Sequence, residues 1–163
     1  MKEGKPVLAW GVVRIALGLI FLWAFFDKLI GLGFATAADN SWLAGGSPTY
    51  GFLAKGVHGP LAAFYNSIAS SSLVEWMFML GLLFIGVSLT LGIFMRLGCI
   101  FGIAMMLLMW SALLPPANHP FIDDHVIYAL VMLGLMFSKA GHVLGFGNSW
   151  EQCKLVKKWK ILQ

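Results

Sequence analysis

Four long apolar runs, each fenced by charged or turn-forming residues, dominate this chain and limit what it can fold into. They fall at 7–29, 73–95, 97–114 and 124–146, each within the span of about 17–25 residues that a membrane helix needs. Only 11% of the 163 residues are charged and 60% are hydrophobic, whereas a soluble domain is about 25% charged. Seven acids and eleven bases cannot cover a water-facing surface on such a chain. A soluble single domain is excluded, as are a disordered chain, a disulfide-stapled module and a collagen-like fibre. The expected fold is an all-α membrane protein, a four-transmembrane-helix bundle forming a single domain over 1–163.

The first run follows a Lys-bearing start, and Ala35-Thr36-Ala37 looks like a cleavage site. The run is nevertheless longer than the ~7–15 residues of a signal-peptide core and contains Arg14, so it reads as an uncleaved span. Residues 31–72 are rich in Gly, Ser and Ala and are too polar to span. Ser47-Pro48 reads as the N-cap and first position of a short helix, and Gly59-Pro60 precedes a second. With Trp42, Tyr50, Phe52, Phe64 and Tyr65, these pieces are expected to be short interfacial helices in the first outer loop. Arg96 marks the tip of a tight hairpin between the second and third spans, and Pro115-Pro116 closes the third. The tail 149–163 carries Lys154, Lys157, Lys158 and Lys160 beside two tryptophans, and suits a helix lying on the membrane surface.

Four spans place Lys2, Lys5, Arg96 and the four tail lysines on one side, against Lys55 and the border residue Lys28 on the other. The positive-inside rule makes the richer side the cytoplasm. The expectation is a multi-pass plasma-membrane protein with both termini cytoplasmic. The net charge of +4 then reads as an orientation signal and a contact with anionic headgroups, not as nucleic-acid binding.

With each span centred in the bilayer, the 1.5 Å rise per residue gives rough depths. Asp27, Lys28, Glu75, Asp123, Asp124 and His125 fall in the outer third, with Tyr128 a turn below Asp124. Each has a plain reading as a wetted helix end, and the Asp pair as a cap of the fourth helix. Acids converging from three spans point instead to pairing or function. Arg14 lies about 6 Å to the cytoplasmic side of centre, on the order of 20 Å from those acids. Its expected partners are Ser88 and Ser138, a buried polar layer inside the bundle. The competing expectation is that it snorkels beside Trp10 to the headgroups.

Other motifs carry little. Gly31-Leu-Gly33 and Gly145-Phe-Gly147 lack the third glycine and the preceding strand of a dinucleotide loop. Gly98 with Gly102, and Gly141 with Gly145, read as helix-packing pairs, and Met105, Met106 and Met109 as core filler. No two of His58, His119, His125 and His142 lie three or four apart, and Cys99 and Cys153 have no ligand-like spacing. No metal, haem or built-in cofactor is expected.

Arg14-xx-Leu17-Gly18-xx-Phe21, closing on Asp27-Lys28-Leu29, resembles the opening span of the DoxX/DoxD family of small bacterial and archaeal membrane proteins. Residues 42–53 (WLAGGSPTYGFL) and, more specifically, 108–129 (LMWSALLPPANHPFIDDHVIYA) are similar to DoxX-type members too. The likeness covers nearly the whole chain, although the family pattern has glycine where this chain has Phe25 or Phe26. It implies a four-helix membrane bundle and a link to thiosulfate:quinone oxidoreductase, in which a DoxD-type subunit works with a second small subunit. Other members are associated with membrane redox-homeostasis complexes.

The leading functional expectation is a quinone-linked redox subunit acting on an outer-side sulfur compound or a partner. Asp124, His125 and Tyr128 are its candidate catalytic, proton-handling groups, with a histidine as the natural proton carrier among them. Lys28 and Glu75 lie at the same level, and Trp76 and Trp110 are candidate walls for the quinone ring. Nothing in the chain carries electrons by itself, so a bound quinone and an outside donor must do so. The alternative is a non-catalytic membrane anchor or accessory subunit of a respiratory or redox complex. A carrier ranks last, because no helix reads as broken in its middle. The expected partners are the lipid bilayer, a redox subunit and a second copy of the chain.

Overall fold

A computed structural model describes residues 4–162, and every regular element among them is helical. Lys2, counted above for orientation, lies outside the described residues, as does the side chain of Lys5. The helices are α1 (Gly4–Ile30), α2 (Ala62–Ser67), α3 (Ser72–Leu91), α4 (Met95–Ala112), α5 (Asp124–Phe137), α6 (Gly147–Gln152) and α7 (Lys154–Lys158), joined by short 3-10 and π turns. Three are long and apolar enough to cross a membrane: α1 over Leu8–Ile30, α3 and α4. At 14 residues, α5 extends only about 21 Å at 1.5 Å per residue.

α1 lies along α3, α3 against α4, and α4 along α5, while α1 and α5 meet only briefly. Neighbours in that order run antiparallel, which gives the bundle two ends. The tail end holds the α3–α4 turn and the C-terminus of α5. The loop end holds residues 31–71 and the α4–α5 connection. Leu17, Phe21, Met79, Ile85, Leu89, Cys99, Met106, Met132 and Leu135 fill the interior. Leu19, Trp23, Leu80, Phe101, Leu108, Leu130 and Phe137 face outward. Such an apolar exterior is stable in lipid and would aggregate in water. Close approach of α1 to α3 depends on Gly18, where an added Cβ would lie 2.5 Å from Thr90 Oγ1 and 2.6 Å from the Thr90 amide.

Three boundaries differ from the sequence reading. α3 stops at Leu91 rather than 95, because Gly92 adopts a left-handed φ of 73° and its N–H returns to the Ser88 carbonyl at 2.9 Å, a stop open to glycine at little cost. The hairpin turn is therefore Gly92-Ile93-Phe94, and Arg96 belongs to the first turn of α4 instead of the tip. The fourth run breaks at Ser138: Lys139 and Leu144 take left-handed φ of 50° and 53°, and only the 3-10 turn Ala140–His142 follows. A single helix over 124–146 is thus corrected to a shorter helix plus an irregular segment.

The first loop forms short pieces, as its Pro and Gly punctuation suggests. Ser47 Oγ accepts from the Tyr50 amide at 3.0 Å ahead of a π turn, Phe52–Gly56, and α2 follows Gly59-Pro60. The tail is not one surface helix. It folds as α6, α7 and a last turn, with Val156 buried and Trp150 Nε1 donating to the Leu162 carbonyl at 2.6 Å. Its four lysines stay exposed.

Candidate functional site

At the loop end, the backbone of Asp123 is extended and its side chain caps α5. Oδ1 accepts from the amides of His125 at 3.0 Å and Val126 at 3.2 Å. The other carboxylate oxygen, Oδ2, holds His125 Nδ1 at 2.8 Å. That contact keeps the Nδ1 proton between ring and carboxylate, leaving Nε2 as the exchanging position of the imidazole. Partial burial pushes the Asp123 carboxyl up. The hydrogen bond from His125, the Val126 amide and the charge of the ring outweigh it, so the group lies below the ordinary 3.8.

This pair borders a cleft of about 400 Å³, lined also by His58, Leu113, Pro116, Asn118, Ile122 and Asp124. His58 is fixed from both ends: its amide donates to the Ala112 carbonyl and its Nε2 lies 3.2 Å from the Pro115 oxygen. Trp110 Nε1 donates to the Phe121 carbonyl at 2.9 Å, and His119 Nδ1 accepts from the amides of Phe121 and Ile122. Those bonds shape the connection that forms the rim.

The cleft brings together Asp124 and His125 of the expected set, but Asp124 is exposed and it is Asp123 that binds the histidine. Tyr128 packs against the core instead of lining the cleft. Lys28 lies 6.0 Å over the Phe78 ring, Glu75 accepts from Ser47 Oγ, and Trp76 meets Trp42 edge-on at 4.5 Å. These three belong to the α1–α3 side, and Trp110 serves the rim as a donor. Nor do the acids of three spans meet. Asp27, only 2% exposed, takes the amides of Phe34 and Ala35 at 3.2 and 3.0 Å and so ties the chain down after α1. Among the described residues, no three His, Cys, Asp or Glu side chains gather as a metal site would require.

Arg14 is wholly buried at the tail end, so it does not snorkel. It does not bond Ser88 or Ser138 either. Ser88 Oγ is buried without a partner, and Ser138 Oγ donates to the Leu135 carbonyl of its own helix. Instead the guanidinium spends its five N–H donors on five backbone carbonyls. Nε donates to Ala140 at 3.1 Å, Nη1 to Leu89 and to Thr90 at 3.0 Å, and Nη2 to Val143 at 3.0 Å and Leu144 at 2.9 Å. Leu89 and Thr90 end α3, and the others lie in the irregular segment after α5, so one cation satisfies orphan carbonyls from two chain stops and opposes the α3 dipole. Gly141 and Gly145, expected as a helix-packing pair, lie in this segment. A Cβ on Gly145 would come within 2.8 Å of Arg14 Nη2. Gly98 does pack between helices, with Ser88 Cβ 2.7 Å from where its own Cβ would be. No family model, curated protein or solved structure matches the chain.

Proposed function

We propose that this is a four-span plasma-membrane protein with cytoplasmic termini, and that the Asp123–His125 cleft handles protons for a quinone at the outer rim. Two features support the fourth crossing. α5 and the segment after it together match the ~30 Å of a bilayer core better than α5 alone. Irregular backbone at membrane depth is tolerated where it is buried and bonded, and Arg14 bonds the carbonyls of Ala140, Val143 and Leu144. For orientation, Arg96, Lys139 and the tail lysines crowd one end, while Lys28 and Lys55 share the other with five acids.

The observation that carries the redox reading is the Asp123–His125 contact at the edge of a cleft of small-molecule size. Leu113, Pro116 and Ile122 offer the apolar wall a ring needs, and His125 offers a proton, so the residues fit a quinone headgroup. A bound quinone supplies two-electron acceptor chemistry and takes up two protons. His125 delivers a proton from Nε2, Asp123 holds the ring in register and stabilises its charged form, and Asp124 on the exposed side relays protons from water. Electrons come from an outer-side sulfur compound or a partner subunit, the role that the DoxX/DoxD resemblance implies.

Lipid extraction of the purified protein followed by mass spectrometry, with thiosulfate-driven quinone reduction, tests the reading. Bound quinone, with turnover reduced at least tenfold in His125→Ala and Asp123→Asn, is the expected result. Absence of quinone and of turnover, with co-purification of a larger complex, replaces it by the accessory-subunit reading.

A further inference from the structure

We propose that a second cavity, at the tail end, is an anion site that takes a phosphate group. It encloses about 210 Å³ where the α3–α4 turn, the 138–146 segment and α6 meet. That is below the ~300–1,000 Å³ of pockets for drug-sized ligands, and it suits one small charged group. Arg96 and Lys139 both line it, and among the described residues neither has an acidic partner. The acid on its wall, Glu151, is engaged by His142 Nε2 at 2.8 Å.

A further cation stands behind the floor. Gly92 and Gly141 form part of the lining, and a Cβ on Gly92 would lie 3.1 Å from Arg14 Nη1. Two exposed cations and one buried one thus lie about a single carboxylate, and a concave wall lined by one sign of charge raises the local concentration of anions. α4 starts at this wall with no side-chain cap, so the positive end of its dipole adds in the same sense. Trp150, packed on Phe94 at 4.3 Å, supplies an indole beside the cations, as at membrane interfaces. Phosphate oxygens match this donor set. They come either from an anionic phospholipid headgroup, as in basic pockets between spans, or from free phosphate.

The exposed tail lysines attract anions diffusely, so the test must separate cavity from surface. Native mass spectrometry of the full chain in detergent, with phosphatidylglycerol, phosphatidylcholine or inorganic phosphate as probe, counts what is retained. Arg96→Gln with Lys139→Asn removes two cavity charges, and asparagine tolerates the left-handed backbone of Lys139. Lys157→Gln with Lys158→Gln removes the same charge outside the cavity. The wild type and the tail variant are expected to retain one phosphatidylglycerol, and the cavity variant at least tenfold less, while Lys139→Arg keeps retention. Displacement of the lipid by inorganic phosphate identifies the headgroup phosphate as the bound group. Retention of phosphate without lipid identifies a free anion, and either outcome with loss in the cavity variant supports the site. Equal loss in both double variants, or no retention of either probe by the wild type, overturns it. Should the cavity variant unfold, Arg96→Gln alone, at an exposed position, carries the same comparison.

Discussion

Replacing Arg14 is the perturbation with the largest consequence that the geometry allows to be worked out. Two of its five bonds, to the carbonyls of Ala140 and Leu89, are buried, and the other three are partly so. A buried acceptor stripped of its donor costs about 1–3 kcal/mol, so Arg14→Leu loses about 2–6 kcal/mol from those two alone. Removing an unpaired buried charge works in the opposite direction by several kcal/mol in general. Arg14→Lys separates the two effects. It keeps the charge but has three N–H donors, so at least two of the five carbonyls lose a partner, for about 2–6 kcal/mol again. Unfolding by SDS titration in mixed micelles reads the free energy. Hydrogen exchange at the Phe146 amide, which donates to the Leu91 carbonyl at 2.8 Å, reports whether the irregular segment stays docked. A lysine variant within about 0.5 kcal/mol of wild type, the scatter of an ordinary surface change, with Phe146 still protected, would refute the reasoning.

Four smaller predictions rest on other contacts. Asp123→Ala removes the α5 cap and should cost about 1 kcal/mol, with faster exchange at the His125 and Val126 amides. Because Asp123 lies below the ordinary 3.8 when folded, its contribution is present above that value and fades as pH falls through the folded-state pKa. The stability gap between wild type and Asp123→Asn should therefore close in acid and persist at neutral pH. Gly18→Val forces a side chain onto Thr90 and should destabilise by about 1–3 kcal/mol through overpacking, seen as a lower Tm. Asp27→Ala frees the amides of Phe34 and Ala35, and limited proteolysis should then cut within 31–37 while the helices stay intact.

The helical class and the first three long helices were legible because their signal is additive: twenty apolar side chains outvote any single residue. The stops were less so. Gly92 is an ordinary helix-stop glycine, but the apolar run continues past it through Ile93, Phe94 and Met95 to Arg96, which masks the stop. No residue announces the break after Phe137. Neither Ser138 nor Lys139 is a strong breaker, and the chain departs from helix where a cation from α1, more than a hundred residues away, collects its carbonyls. Which candidate residues share one cleft was hard to read for a related reason. Depth along a span is readable from sequence, but azimuth around the bundle is not, so Lys28, Glu75 and Trp76 shared a level with His125 without sharing its cleft. The Asp123–His125 contact was within reach, since an N-cap aspartate two residues before a histidine places carboxylate and ring side by side.

Arg14 also bears on why the two ends of this bundle differ. A charge buried among apolar helices usually needs an opposite charge, and among the described residues every acid belongs to the far end or to the tail. Backbone carbonyls take that part, and they are available because two helices stop short. Were α3 and α5 to continue, their own amides would claim those carbonyls and Arg14 would be left unpaired. The arginine and the early stops therefore depend on each other, and the tail end is fixed by long-range bonds through one side chain. At the loop end the long-range bonds are spread over several residues, His58 to Ala112 and Pro115, Ser47 to Glu75 and Tyr65 to Leu108, beside local caps at Asp123, His119 and Asp27, so no single side chain there carries the part that Arg14 carries at the tail end.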